Sequence, residues 1–224
     1  MREGPRVNDF KTVVMTPQIY HYVREQAGRP SAVQEKLIAR TLELGDSAEM
    51  QIPHEQAALL SLLVKITGAQ TVVEVGTYTG YSTLAFAQAL PPSGKVITCD
   101  VSAEWTRIAE EAWQAAGVRD RIELRLGPAG QTIAELPEEP TIDLVFIDAD
   151  KVGYAHYWDL LVPRVRQGGL LLADNTLYYG EAAGERPEGN AAAIDAFNRF
   201  VLADPRVESV LVPIADGLTF ARKL

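Results

Sequence analysis

The chain has 224 residues, 47% of them hydrophobic and 23% charged, and its 21 basic against 30 acidic side chains give a formal charge of −9. That is enough apolar material for one globular domain with a buried core, and it excludes a disordered or low-complexity chain. The acidic balance argues against a nucleic-acid partner, and no run approaches the about 20 consecutive apolar residues of a membrane span.

Cys99, the single cysteine, has no partner for an intrachain disulfide. Met1 does not open a basic segment running into an apolar stretch and a cleavage site, so a cytoplasmic location is expected. Residues 1–68 show no strand pattern. Pro17 to Ala27, Ser31 to Leu44 and Pro53 to Thr67 carry apolar residues at helical spacing, with Ser31 and Gln34 placed for a capping box and Pro53 suited to a first helical turn. From Thr71 onward short β-branched runs alternate with helical stretches. Strands are predicted at Thr71 to Val75, Lys95 to Asp100, Arg121 to Leu126, Ile142 to Asp148, Gly169 to Asp174, Val207 to Pro213 and Leu218 to Arg222. Helices are predicted at Tyr81 to Leu90, Ala103 to Ala116, Gly130 to Leu136, Gly153 to Val165 and Ala191 to Ala203, and Gly180 to Asn190 reads as a mobile surface loop. Ala215-Asp216-Gly217 is too short for a crossover, so the last two strands must be antiparallel. The predicted fold class is α/β: a Rossmann-like, doubly wound, mostly parallel seven-stranded sheet with an antiparallel C-terminal hairpin and N-terminal helices. It is read as one domain over 1–224, with a helical region at 1–68 and a cofactor-binding core at 69–224.

The segment from Val72 to Ser82, Val-Val-Glu-Val-Gly-Thr-Tyr-Thr-Gly-Tyr-Ser, leaves a strand and enters a helix. Glycines there let backbone approach a ligand. Glu74 and Thr79 stand where a dinucleotide fingerprint has glycines, which disfavours NAD, and no Gly-Lys-Ser/Thr follows, which excludes a P-loop. A carboxylate at Glu74 repels a pyrophosphate but suits a cationic, amino-bearing ligand such as S-adenosylmethionine. Asp100, ending the next strand, can accept ribose hydroxyls.

Two later strands also end in acids, at Asp148-Ala149-Asp150-Lys151 and at Asp174-Asn175. Strand ends converge in such sheets, and Asp148, Asp174 and Asn175 are hard oxygen donors that suit Mg²⁺ or Ca²⁺ better than Zn²⁺. Strand-ending aspartates that merely cap the next helix are the alternative. Lys151, three residues past Asp148, is a candidate base for a hydroxyl proton, since burial beside a cation disfavours its charged form.

These motifs, with Tyr154 and Tyr157, Gly168-Gly169, Asp174-Asn175-Thr176-Leu177, Phe197-Asn198, Asp204-Pro205-Arg206-Val207 and the Pro-Ile-Ala-Asp-Gly run before Leu218, resemble the caffeoyl-CoA O-methyltransferase family. Catechol O-methyltransferase is a more distant relative. The resemblance implies S-adenosylmethionine held by Glu74, Gly76, Thr77, Tyr78, Ser82 and Asp100, with Ala129, Asp148 and Asp150 beside it. It implies a divalent cation, magnesium or else calcium or manganese, on Asp148, Asp174 and Asn175, and Lys151 as the catalytic base. The chain departs from the family pattern at Tyr178, where tryptophan is usual, and that residue is expected on the acceptor wall. The implied activity is metal-dependent methyl transfer to a hydroxyl of a small catechol-type phenol by a homodimer. The alternatives are a metal-independent methyltransferase and a non-catalytic S-adenosylmethionine-binding module.

Overall fold

The computed structural model describes residues 13–224. Its N-terminal part is helical: α1 (Pro17–Gln26), α2 (Ala32–Leu42), a 3₁₀ segment at Gly45–Met50, and α3 (His54–Thr67). Thr16 caps α1. Ser31 caps α2 with both hydrogen bonds of the capping box, Gln34 N to Ser31 Oγ and Ser31 N to Gln34 Oε1. Pro53 is the residue before α3, one position earlier than expected, and Gly68 ends that helix in a left-handed conformation.

The remainder alternates: β1 (Thr71–Val75), α4 (Tyr81–Ala89), β2 (Lys95–Asp100), α5 (Ala103–Ala115), β3 (Ile122–Leu126), α6 (Ala129–Ala134), β4 (Ile142–Ile147), α7 (Tyr154–Leu161), β5 (Val165–Ala173), α8 (Gly189–Leu202), β6 (Val207–Val212) and β7 (Leu218–Lys223). The seven strands lie in the order β3-β2-β1-β4-β5-β7-β6, and β7 runs antiparallel to both neighbours. The winding reverses between β1 and β4, and in open α/β sheets ligands bind beyond the strand ends at that point.

Strand periodicity divides the core. Val72, Val96, Leu144, Phe146 and Leu172 pack with α3, α4 and α5 on one face. Val73, Val75, Ile97, Val145, Ile147 and Leu171 pack with α6, α7 and α8 on the other. Both faces are covered, which explains why the central strands read as near-continuous apolar runs.

Two expectations are corrected. The helix predicted to reach Val165 stops at Leu161, because Pro163 forces a 3₁₀ turn at Val162–Arg164, and β5 then begins at Val165 rather than Gly169. The strand runs through a register shift opposite Ile142 and Leu144, with Gly168 at φ +76°. The segment from Gly180 to Asn190, expected to be loop throughout, is partly ordered into elements. It carries a 3₁₀ turn at Glu181–Ala183, buries Ala182, and donates Glu181 N to Tyr178 O and Ala182 N to Leu177 O, while α8 already starts at Gly189. No helix among the described residues is long and apolar enough to cross a membrane.

Candidate active site

A cleft of about 780 Å³ opens at the carboxyl ends of the central strands. One wall is the turn after β1. Gly76 sits at φ +98°, and a Cβ there would lie 1.9 Å from the Asp148 carbonyl oxygen, so only glycine lets β1 and β4 leave the sheet side by side. Asp100 at the end of β2 fixes the next residues: Oδ2 accepts from Thr77 N at 3.0 Å and Tyr78 N at 2.8 Å, and Oδ1 from Ser102 N at 2.8 Å. The turn is thus formed by the protein's own carboxylate. Oδ2 uses both of its lone pairs in this way, and Oδ1 keeps one for a ligand in the cleft. Tyr78, at φ +50°, packs edge-on to Trp105 and donates its hydroxyl to Ser47 O at 2.8 Å, tying the N-terminal segment to the cleft rim.

Gly76, Thr77, Tyr78, Ser82, Asp100, Ala129, Asp148 and Asp150 all line the cleft. Asp150 accepts from Tyr157 Oη at 2.5 Å and Gly153 N at 3.0 Å. Glu74 does not line it. The period of β1 turns this side chain to the α4 face, beneath the turn, where it is 0% exposed and Oε2 accepts from the hydroxyls of Thr83 and Thr98. It approaches the cleft from beneath the turn, and its Oε1 is buried with no hydrogen-bond partner. Burial pushes its pKa up to about 7 against the lowering pull of the Ser82, Thr83 and Thr98 hydroxyls.

The opposite wall carries the second cluster. Lys151 Nζ donates to Asp148 Oδ1 at 3.1 Å, Asn175 Oδ1 at 2.6 Å and Tyr154 Oη at 2.8 Å, and Tyr154 Oη donates in turn to Asp174 O at 3.2 Å. The sequence placed Lys151 beside these oxygens; the structure puts its ammonium between them. Asp174 is 2% exposed, and burial followed by the charge of Asp148 raises its pKa. Among the described residues no three Asp, Glu, His or Cys side chains converge as a metal cluster. The converging set is two carboxylates and a carboxamide. Its chemistry fits a divalent cation, since all three donors are hard oxygens and a cation would relieve both the burial and the mutual repulsion of the two carboxylates.

Asn175, Tyr178 and Tyr179 all have left-handed backbones, at φ +52°, +47° and +54°. Non-glycine residues hold such angles only where the surroundings impose them. Here the imposing residue is Asp216 in the β6–β7 turn, which accepts from Asn175 Nδ2 at 3.3 Å and Tyr179 N at 2.6 Å. Tyr178 lies on the cleft wall, its hydroxyl accepting from Asn190 Nδ2 at 3.1 Å. Sequence reasoning read Ala215-Asp216-Gly217 as a hairpin turn and missed this role. It also missed Met50, Gln51, Ile52, Pro53 and Gln56, which wall the cleft from the start of α3, and His156, which lines it near α6.

Comparison with known proteins agrees with this geometry. A family model described as O-methyltransferase matches residues 24–224. A protein of Dictyostelium discoideum named probable caffeoyl-CoA O-methyltransferase 2 is 39% identical over 211 residues, covering 92% of this chain and 91% of its own. A putative O-methyltransferase structure from Klebsiella pneumoniae superposes with a TM-score of 0.85 at 30% identity, over 92% of this chain and 96% of that one. The O-methyltransferase of Bacillus cereus, solved in complex with SAH, superposes with a TM-score of 0.82 at 28% identity, over 92% and 97% of the two chains.

Proposed function

The chain belongs to the O-methyltransferase family, and from that premise we propose that it moves a methyl group from S-adenosylmethionine to one hydroxyl of a small phenol bearing two vicinal oxygens, with a divalent cation in the site. The observation that carries this reading is that one cleft is lined by the glycine turn with Asp100 and by the Asp148, Lys151, Asp174 and Asn175 cluster.

Asp100 is suited to accept the ribose hydroxyls without rearrangement, because its oxygens are already fixed by three backbone N–H groups. Lys151 Nζ would take the proton from the phenolic hydroxyl, and its contacts to Asp148, Asn175 and Tyr154 hold it at that end of the cleft. A cation bound on Asp148, Asp174 and Asn175 would supply positive charge to the phenolate and, with about three of six positions left over, could be chelated by a vicinal diol. The walls of Met50, Ile52, Pro53, Tyr178 and Tyr179 would fix the ring, so that the rate comes from alignment of oxygen and methyl carbon. Exposed apolar side chains on α1, Tyr22 and Val23, support a homodimer, which sedimentation of the purified chain would test.

The test is methyl transfer to a catechol and to its matching monophenol, each after exhaustive chelation and after Mg²⁺ is restored. The catechol should be methylated only with Mg²⁺ and at far higher kcat/KM than the monophenol. Full activity after chelation refutes the metal requirement, and equal turnover of the two phenols refutes the vicinal-oxygen requirement.

A further inference from the structure

Gln56, in the first turn of α3, lines the cleft at 0% exposure, and neither Oε1 nor Nε2 makes a hydrogen bond. A carboxamide buried with both ends unpaired is costly, and such groups are normally partnered. Nothing in the chemistry argued so far uses it.

Its position narrows what could pair with it. Two residues earlier, His54 Nδ1 lies 2.9 Å from Tyr81 Oη, and Tyr81 precedes Ser82 at the start of α4. On its other side Gln56 faces Asp174, at the end of β5. Gln56 therefore stands between the start of α4 and the end of β5. Asp100 is on the opposite side of β1, at the end of β2. A ligand whose ribose is held by Asp100 and whose length crosses the glycine turn towards β4 brings its far end to Gln56. The phenolic oxygens of an acceptor are already matched to Asp148, Asn175 and Lys151, so the carboxamide is left for the cofactor. The far end of S-adenosylmethionine is an α-amino acid group, an ammonium donor beside a carboxylate acceptor. A carboxamide offers one acceptor and a donor amide, the complementary pair. Gln51 Oε1, another buried atom with no partner, lines the same wall.

We propose that Gln56 is a cofactor-binding residue that holds the α-amino acid end of S-adenosylmethionine, Oε1 accepting from the ammonium and Nε2 donating to the carboxylate. The inference rests on the cofactor reading above. Its test is calorimetric binding, without acceptor or metal, of S-adenosylhomocysteine and of 5′-methylthioadenosine, which lacks the amino acid end. Gln56→Met keeps the length and removes both polar atoms. It should weaken S-adenosylhomocysteine by about tenfold or more, the range for hydrogen bonds to charged groups, and leave 5′-methylthioadenosine within about twofold. The free variant should melt no lower than the wild type, since it loses an unpaired buried amide. Gln56→Leu, which also removes both polar atoms, should show the same selective loss if the methionine variant does not fold. Equal affinity of variant and wild type for S-adenosylhomocysteine overturns the proposal, as does an equal loss for both ligands. A wild-type chain that binds neither ligand refutes the cofactor reading itself.

Discussion

Replacing Glu74 by Gln tests the electrostatics under the glycine turn. An exposed glutamate titrates at 4.5, whereas burial raises Glu74 to about 7, a gap of about 2.5 units. At about 1.36 kcal/mol per unit, the protonated carboxyl contributes about 3 kcal/mol to stability relative to the ionised one. The sign follows from proton counting. The folded-state value lies above the unfolded one, so between pH 4.5 and about 7 the native state binds more protons. This contribution is complete below pH 4.5 and is lost as pH rises through 7. Glutamine is uncharged at every pH, and its Oε1 can still accept from Thr83 and Thr98. Denaturant melts of both proteins at half-unit intervals from pH 4.5 to 8 isolate the effect, because every other titrating group is common to the pair. The variant should gain on the wild type by about 3 kcal/mol across that window. Curves that stay parallel throughout would show that Glu74 ionises freely in the folded protein.

Three further outcomes follow from the geometry. Gly76→Ala forces a methyl group against the Asp148 carbonyl in a left-handed backbone, and should cost more than about 3 kcal/mol; a thermal midpoint near that of the wild type would contradict the close approach of β1 and β4. Lys151→Met should lower kcat by roughly 10²–10⁴ while leaving S-adenosylhomocysteine affinity nearly unchanged, with an unaltered rate excluding proton transfer to Nζ. Burial pushes the Cys99 thiol up to about 11, so an alkylating reagent at pH 8 should modify it only in denaturant, and rapid labelling of the folded chain would show that β2 is open to solvent.

The sheet was legible because its signals are local. β1 and β2 lie at the predicted residues, since β-branched runs bounded by glycine and aspartate carry strand and turn information together. The capping box of α2 was equally readable from Ser31 and Gln34. Pattern alone could not place Val165, because one apolar run from Tyr154 to Val165 satisfies a helix until Pro163 is weighed. Within the site, Asp100, Asp148, Asp174 and Asn175 were readable as strand ends. The place of Glu74 beneath the turn was not legible, because the acid was considered without the parity of its strand. Asp216 and Gln56 were invisible for a different reason. Each reaches the cleft from an element distant in sequence, with 41 residues separating Asp216 from Asn175, and the Pro-Ile-Ala-Asp-Gly run that holds Asp216 reads locally as a turn.

The place of β7 between β5 and β6 sets an order on biogenesis. A ribosome makes β6 first, yet β6 has no edge to join until β7 has emerged and docked on β5. A nascent chain complete through β5 can already assemble β1, β2 and the turn held by Asp100, while the backbone from Asn175 to Tyr179 has no Asp216 to clamp it. The half of the cleft built on the turn after β1 is therefore able to mature during translation, and the half built on Asn175 to Tyr179 only once the final hairpin closes. Ligand present in the cell at that stage would meet a half-built pocket, and its binding there would favour the folding path over aggregation.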